Sequence, residues 1–414
     1  MDHNCTATGD LLSNVTPSRR IAVLLTLLVA FGPVCTDLYL ASLPDMARDL
    51  ATTTTMVQMT LSAFVGGFAV MQLVYGPLSD RFGRRPLILG GILIYVAASL
   101  YCVVAPTVET LIVGRFFQAV GACCGPVLGR AVVRDLFSRE QAARVMSYMA
   151  SAMALAPLVA PTIGGWFHTW FGWRSNFVLL ALFGLILLVL VWRLLAETNH
   201  HKDSQALNLG RLLENYRELL THRLFLGYVL TMTAAFGGLF SFISASSFVL
   251  IDVMGMEPRF FGLAFSLASA GYLVGGFAGA KLTHRFGIER MVGVGTVGCA
   301  VTGIILAALV WSGLAKPGGV AGIIMIMGLV MAFFAACALV LPNATAGAIA
   351  PFPRAAGTAS SAMGFIQMSG GAVAGWLVGR LYDGSARPLA ATMAVMGLVA
   401  LLVYLRVVRP AARR

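Results

Sequence analysis

Twelve apolar runs follow one another along this sequence, and they constrain its fold more than any other feature. A helix needs about 20 apolar residues to cross the hydrocarbon core of a bilayer. Short polar segments separate the runs, and one longer polar interval, 196–223, divides them six and six. The approximate limits of the runs are 21–43, 56–77, 86–104, 108–131, 144–167, 174–195, 224–250, 259–281, 291–312, 319–341, 355–379 and 386–408.

The charge content excludes a soluble protein. Only 11% of the 414 residues are charged and 58% are hydrophobic, whereas soluble domains carry roughly 25% charged residues. All cysteines except Cys5 lie in apolar runs without metal-ligand spacing, so we expect no metal site. No catalytic constellation and no phosphate-binding GxxxxGKS or GxxxxGKT motif is present. The sequence therefore predicts an all-α membrane protein that is not an enzyme, needs no cofactor and is driven by an ion gradient.

Lysine and arginine predict the orientation of this protein. With the N-terminus inside, 22 of the 29 lie in inner segments, six lie in outer segments, and Arg115 is left inside a run. Positive charge is retained on the cytoplasmic side, so both termini are predicted to be cytoplasmic. The net charge of +12 is then a consequence of topology and not a signal for nucleic acid.

The spans and loops predict five regions, and internal similarity relates the two largest. Arg81-Phe82-Gly83 is matched 204 residues later by Arg285-Phe286-Gly287, and Gly164-Gly165-Trp166 is matched 210 residues later by Ala374-Gly375-Trp376. Two matches at equivalent spans indicate duplicated, pseudo-symmetric six-helix bundles. The predicted regions are a cytoplasmic tail 1–20, a bundle 21–195, a cytoplasmic connector 196–223 with an amphipathic helix near 207–220, a bundle 224–408 and a cytoplasmic tail 409–414.

Two ionisable side chains stand deep inside the predicted spans. Asp37 lies roughly 12 Å and Arg115 roughly 9 Å from the outer ends of their spans, at 1.5 Å per residue. Such residues usually face a partner or water, because an isolated charge in lipid is costly. At similar depth the two can share one cavity, either as a structural ion pair or as a functional pair. In the functional interpretation, Asp37 binds a proton or a cationic substrate and Arg115 tunes its pKa.

Several motifs resemble those of a known transporter family. The segment GPLSDRFGRRP resembles the loop signature of the major facilitator superfamily. The segment from Arg115 to Gly121 resembles the fourth-span motif of proton-coupled members, and Ala160 to Gly165 resembles the fifth-span motif of antiporters. The segments DLYLASLP, VQMTLS and FPRAAGTASS are similar to those of the twelve-span Bcr/CflA group, the bicyclomycin and chloramphenicol resistance type of drug:proton antiporter.

The resemblance implies a gate in the loop after the second span. There, Asp80 would hold the two halves together while the transporter faces outward. In the alternative interpretation, the loop has no gating role and its arginines only keep it on the cytoplasmic side. The residues of this gating loop are Gly76, Asp80, Arg81, Gly83, Arg84 and Arg85. In the fifth span, Pro157, Pro161, Gly164 and Gly165 are predicted to bend the helix and allow close packing, and their link to antiport comes from the resemblance alone.

A cavity for an amphipathic compound needs aromatic, methionine and a few polar side chains. Each candidate has an alternative interpretation as a core or lipid-facing residue. The candidates are Gln58, Gln72, Gln118, Phe236, Phe240, Phe242, Tyr272, Asn343, Met363 and Gln367.

These observations together predict a proton-coupled multidrug efflux transporter that works by alternating access in a bacterial inner membrane. The expected partners are a small amphipathic drug-like substrate, protons and membrane lipid, with no nucleic acid, and the chain is expected to be a monomer. The alternative within the same fold is a transporter of a natural metabolite such as a sugar or an amino acid. A non-transporting membrane sensor is disfavoured by the intramembrane Asp37 and Arg115.

Overall fold

The computed structural model describes residues 19–200, 202–314 and 319–412. Most of the predicted N-terminal tail (1–18), His201 of the connector and residues 413–414 of the C-terminal tail lie outside the described residues. Among the described residues every regular element is helical, which confirms the all-α prediction.

Twelve long helical segments follow the twelve predicted runs. In the described part of the chain, eleven of them are long and apolar enough to cross a membrane. The remaining one, α11, has 25 residues and is rich in glycine, alanine and serine. The segments are α1 Arg19–Asp49, α2 Thr54–Phe82, α3 Arg84–Val103, α4 Val108–Leu136, α5 Arg139–Phe171, α6 Arg174–Leu194, α7 Arg223–Val253, α8 Pro258–Phe286, α9 Ile288–Trp311, α10 Val320–Ile349, α11 Ala356–Arg380 and α12 Arg387–Ala411.

The first segment, α1, is interrupted in its second half. Its α-helical part ends at Asp37, a 3-10 turn covers Leu40–Ser42, and a last helical piece runs over Leu43–Asp49. Pro44 lies at the start of that piece, where its missing N–H costs least. The interruption places a buried acid, Asp37, at the end of a helical piece.

The polar interval between the two halves contains the predicted amphipathic helix. It runs over Leu209–Thr221, close to the predicted 207–220, and we call it the connector helix. We call the end of the bundle beside this helix the connector face and the opposite end the far face. Since each span reverses direction, α1 starts and α12 ends at the connector face.

Two pairs of helices join the halves of the molecule. Helix α2 packs along α11, and α5 packs along α8. Between α5 and α8 the approach is close, since Ser266 Oγ donates a 2.6 Å hydrogen bond to the Leu158 carbonyl. These two helix pairs form the boundary across which the bundles contact each other.

Polar contacts between the halves close the far face. Thr55 Oγ1 donates to the Gly379 carbonyl at 2.8 Å, and Gln58 Nε2 donates to the Ser244 carbonyl at 3.1 Å. Nearer the surface, Arg48 lies 3.8 Å from Asp252. The far face is therefore shut by contacts between the N-terminal and C-terminal bundles.

Candidate functional site

Asp37 is a buried acid at the interruption of α1. The residue is only 2% exposed, and its carboxylate accepts a 3.0 Å hydrogen bond from the hydroxyl of Thr36. Among the described residues no lysine, arginine or histidine lies within ion-pair distance of Asp37. An acid at this depth without a cationic partner is costly to ionise unless water reaches it.

Arg115 is fully buried in the N-terminal bundle and is held by neutral groups. Its guanidinium donates to the Cys35 carbonyl at 3.0 Å and to Gln118 Oε1. The guanidinium carbon also lies 4.4 Å from the ring centroid of Tyr39 and 4.4 Å from that of Phe64. These cation–π contacts are favourable in a desolvated site. Arg115 therefore ties α4 to α1 two residues before Asp37.

The two side chains singled out by the sequence are neighbours through the backbone and not through an ion pair. Arg115 binds the carbonyl of Cys35, and Asp37 has its own hydrogen bond from Thr36. In the described part of the chain, the structural ion pair left open by the sequence is not formed. The arrangement makes Arg115 a residue that positions the helical piece carrying Asp37.

Helix α5 packs against the same part of α1. Pro157 and Pro161 lie inside α5, as the sequence predicts. A Cβ on Gly164 would overlap the Leu38 carbonyl, whereas a Cβ on Gly165 would be 3.4 Å from the Pro258 carbonyl, an ordinary contact. Gly164 is therefore needed for the backbone contact between α5 and the residue that follows Asp37.

The gating loop joins α2 to α3 at the connector face. Asp80 lies 2.6 Å from Arg84, and Arg84 also lies 3.2 Å from Asp135 on α4. Gly83, between the two helices, has a φ of +106°, a conformation that glycine adopts most readily. In this conformation Asp80 is paired within its own bundle, and among the described residues it makes no ion pair with the other half.

A glutamate after α6, which no motif in the sequence marked as functional, caps the start of α3. The carboxylate of Glu197 accepts hydrogen bonds from the backbone N–H groups of Arg84 at 2.8 Å and Arg85 at 3.2 Å. The N–H groups of Thr198 and Asn199 also donate to it, each at 2.9 Å. A carboxylate at a helix N-terminus is stabilised by unsatisfied N–H groups and by the helix dipole.

Asn199, two residues after Glu197, also binds the gating loop. Asn199 Nδ2 donates to the carbonyls of Ser79 and Asp80, each at 3.1 Å, at the end of α2. Residues 197–199 therefore fix the gating loop from the sixth span. The sequence signal was a polar Glu-Thr-Asn directly after the last apolar residues of α6.

We expect Glu197→Gln to destabilise the fold by about 1 kcal/mol, the usual effect of losing a helix cap. Burial alone would raise the pKa of Glu197, but the four backbone donors outweigh it and hold the pKa below its ordinary value. A lowered pKa means that the contribution is present above the pKa of the unfolded state and is lost as pH falls through the folded one. The difference in thermal stability between wild type and variant should therefore shrink as the protein is acidified below that range.

The control for this prediction is Glu218→Gln, at an exposed position on the connector helix. It should leave thermal stability close to wild type at every pH. A Glu197→Gln variant that behaves like the control at neutral pH would contradict the capping role.

One large cavity opens between the halves at the connector face. Its volume is about 500 Å³, within the usual range for small-molecule sites. Its walls come from α2, α4, α5, the connector and the start of α11. The lining includes Gln72, Gly76, Asp80, Arg84, Arg130, Arg134, Asp203, Tyr216, Thr358, Ser360 and Ser361.

Of the ten residues predicted from sequence to line a cavity, Gln72 lines this one and the other nine do not. In the N-terminal bundle, Gln58 is buried in the far-face contact with Ser244, and Gln118 donates to Ser99 Oγ at 2.7 Å while it accepts from Arg115. Both amides therefore contribute to packing between helices in this conformation.

The candidates of the C-terminal bundle are also packed. Phe236 stacks on Phe240 with ring centroids 5.9 Å apart. Asn343 accepts from Thr283 at 2.9 Å. Met363 is buried, whereas Tyr272 and Gln367 are half-buried. Besides Gln72, the sequence-predicted residues that line the connector-face cavity are Gly76, Asp80 and Arg84 of the gating loop.

Comparison with known proteins agrees with this architecture. The family model described as Major Facilitator Superfamily matches residues 23–374. The chain is 33% identical to a bicyclomycin resistance protein homolog from Haemophilus influenzae, over 92% of this chain and 93% of that one. The chain belongs to the Major Facilitator Superfamily. It is also 29% identical to multidrug resistance protein D from Escherichia coli, over 93% of this chain and 95% of that protein.

Solved structures of this superfamily share the fold. A D-xylose-proton symporter superposes with a TM-score of 0.75 over 94% of this chain and 97% of that chain, at 14% identity. A bacterial homologue of the human lysosomal transporter Spinster, in an inward-facing and occupied conformation, gives a TM-score of 0.70 over 95% and 96%, at 16% identity. At these identities the likeness shows the fold alone, and it confirms the predicted major facilitator architecture.

Proposed function

We propose that this major facilitator protein exports small amphipathic, drug-like compounds in exchange for protons. Relatives named for bicyclomycin and multidrug resistance align with nearly the whole chain, which supports a drug-type substrate. Because the connector face is the side rich in lysine and arginine, we place it in the cytoplasm of a bacterial inner membrane.

The observation that carries the proton coupling is the environment of Asp37. Its carboxylate is buried, lacks a cationic partner among the described residues and accepts one hydrogen bond from Thr36. The free energy of ionising such a group depends strongly on whether water reaches it. A change that alternately seals and wets Asp37 therefore favours proton binding in one state and proton release in the other.

The closed far face and the open connector-face cavity supply the two ends of an alternating-access cycle. In this conformation Thr55 and Gln58 hold the N-terminal bundle to the C-terminal bundle at the far face. The cavity is reached from the opposite end. Rocking along the α2–α11 and α5–α8 contacts would exchange the two faces, as in other repeats of this kind.

Resistance measurements in a pump-deficient bacterial strain test this function. Expression of the chain should raise the inhibitory concentration of one or more amphipathic antibiotics, such as bicyclomycin or a phenicol, and a protonophore should abolish intracellular depletion of the same compound. Resistance that survives the protonophore would contradict proton coupling. Absence of resistance to any compound, together with a growth phenotype on a sugar or an amino acid, would favour the metabolite transporter instead.

A further inference from the structure

The connector-face cavity is lined by three arginines and two aspartates. Two of its acids are engaged, since Asp80 pairs with Arg84 at 2.6 Å and Asp203 accepts from the backbone N–H of Gln205 at 2.8 Å. Arg84 is shared with Asp135 at 3.2 Å. These contacts pair the charge of Arg84, but they do not involve the other two arginines of the cavity.

Arg130 and Arg134 lie one helical turn apart on α4, and both line the cavity. Residues four apart on a helix present their side chains on the same face. Both residues are exposed, and in the described part of the chain neither has a hydrogen bond or an ion pair. Two neighbouring guanidinium groups without an anion repel each other, so a negatively charged group between them would relieve the repulsion.

The facing wall carries the start of α11. The residues there are Ala356, Gly357 and Thr358, followed by the hydroxyl residues Ser360 and Ser361. In the described part of the chain no side chain caps this 25-residue helix, whose N-cap residue is Ala355. The first N–H groups of an uncapped helix and its dipole also favour an anion. Both walls of the cavity thus attract negative charge.

We propose that this cavity binds an oxyanion group, a carboxylate, phosphate or sulfonate, between Arg130 and Arg134 on one wall and the start of α11 on the other. Guanidinium groups recognise such groups through paired, charge-assisted hydrogen bonds. Resting on the proposed export function, the inference extends the substrates to amphipathic organic anions that enter from the connector face. The apolar part of such a compound has Val127, Leu128 and Met146 of the same cavity to contact.

A binding experiment tests this without requiring transport. The full chain is placed in nanodiscs of phosphatidylcholine with no ion gradient, and the fluorescence of N-dansyl-phenylalanine and of its methyl ester is titrated. The two probes differ mainly in the carboxylate. We expect the wild type to bind the acid at least about tenfold more tightly than the ester, as a charge-assisted contact predicts.

Three variants assign that preference to the two arginines. In Arg130→Gln/Arg134→Gln the preference for the acid should disappear while the affinity for the ester stays at the wild-type level. In Arg130→Lys/Arg134→Lys, which keeps the charge, part of the preference should remain. Arg144→Gln, an exposed position on α5 outside the cavity, is the matched control and should bind as the wild type does.

Two results would overturn the proposal. Equal affinity of the wild type for the acid and the ester would show that no anion site exists, and an equal loss of both probes in the glutamine variant would show that the arginines serve only folding or gating. Loss of acid binding when phosphatidylglycerol replaces part of the neutral lipid would assign the site to a lipid headgroup. Since no step needs a proton gradient, failure of antiport leaves this experiment informative.

Discussion

Asp37→Asn is expected to abolish proton-driven export while leaving substrate binding close to that of the wild type. Asparagine keeps the size of the side chain and an oxygen that accepts the Thr36 hydrogen bond, but it has no proton to exchange. A carrier without its proton site cannot use the pH gradient, so uphill transport should fall to the background level. The measurement is drug uptake into everted membrane vesicles with an imposed pH gradient.

The matched control is Asp383→Asn, an exposed acid in the loop between α11 and α12. It removes the same charge from the chain without touching the buried site and should transport as the wild type does. Export by Asp37→Asn that still follows the pH gradient at the wild-type level would place the proton site at another residue.

The second large effect is expected from adding one methyl group to α5. In Gly164→Ala the new Cβ overlaps the Leu38 carbonyl, a backbone atom that no rotamer change can move. Overpacking of this kind typically costs about 1–3 kcal/mol. The displacement falls on the interrupted stretch of α1 directly after Asp37, so we expect a lower unfolding temperature and a strong loss of export. Thermal unfolding in detergent and the resistance assay measure the two effects.

The neighbouring glycine provides the control. In Gly165→Ala the new Cβ would have ordinary contacts, 3.4 Å from the Pro258 carbonyl and 3.7 Å from the Ala41 Cβ. Stability and export should stay close to wild type, because no backbone has to move. If the two alanine variants lose export equally, flexibility of the glycine pair, and not the close contact of α5 with α1, would explain the motif.

The contacts between the two bundles could not be predicted from the sequence. Gln58 was a candidate for the substrate cavity because polar residues are rare in these spans. The structure instead buries it against the Ser244 carbonyl of the other bundle. Which face of α2 meets the second bundle depends on how two separate bundles dock, and no local pattern of residues encodes that docking.

In the gating loop, the motif could be predicted from the sequence but its tertiary contacts could not. Its residues were recognisable as a motif, yet the cap supplied by Glu197 and the clamp supplied by Asn199 come from a segment more than 100 residues later. A single carboxylate after a span has no distinctive spacing. Only the tertiary contact between the end of α6 and the start of α3 shows its role.

The sequence alone determined the number of long helical segments, their order and the helix in the connector. This is possible because lipid cannot hydrogen-bond to the backbone, so each apolar run must satisfy its own N–H and C=O groups as a helix. Within the described residues, the tertiary structure decided which groups meet: Arg115 has neutral contacts, the carboxylate of Asp37 has no cation, and Arg130 and Arg134 in the cavity are unpaired. Those features depend on the rotation and packing of neighbouring helices, which apolar runs of similar composition leave open.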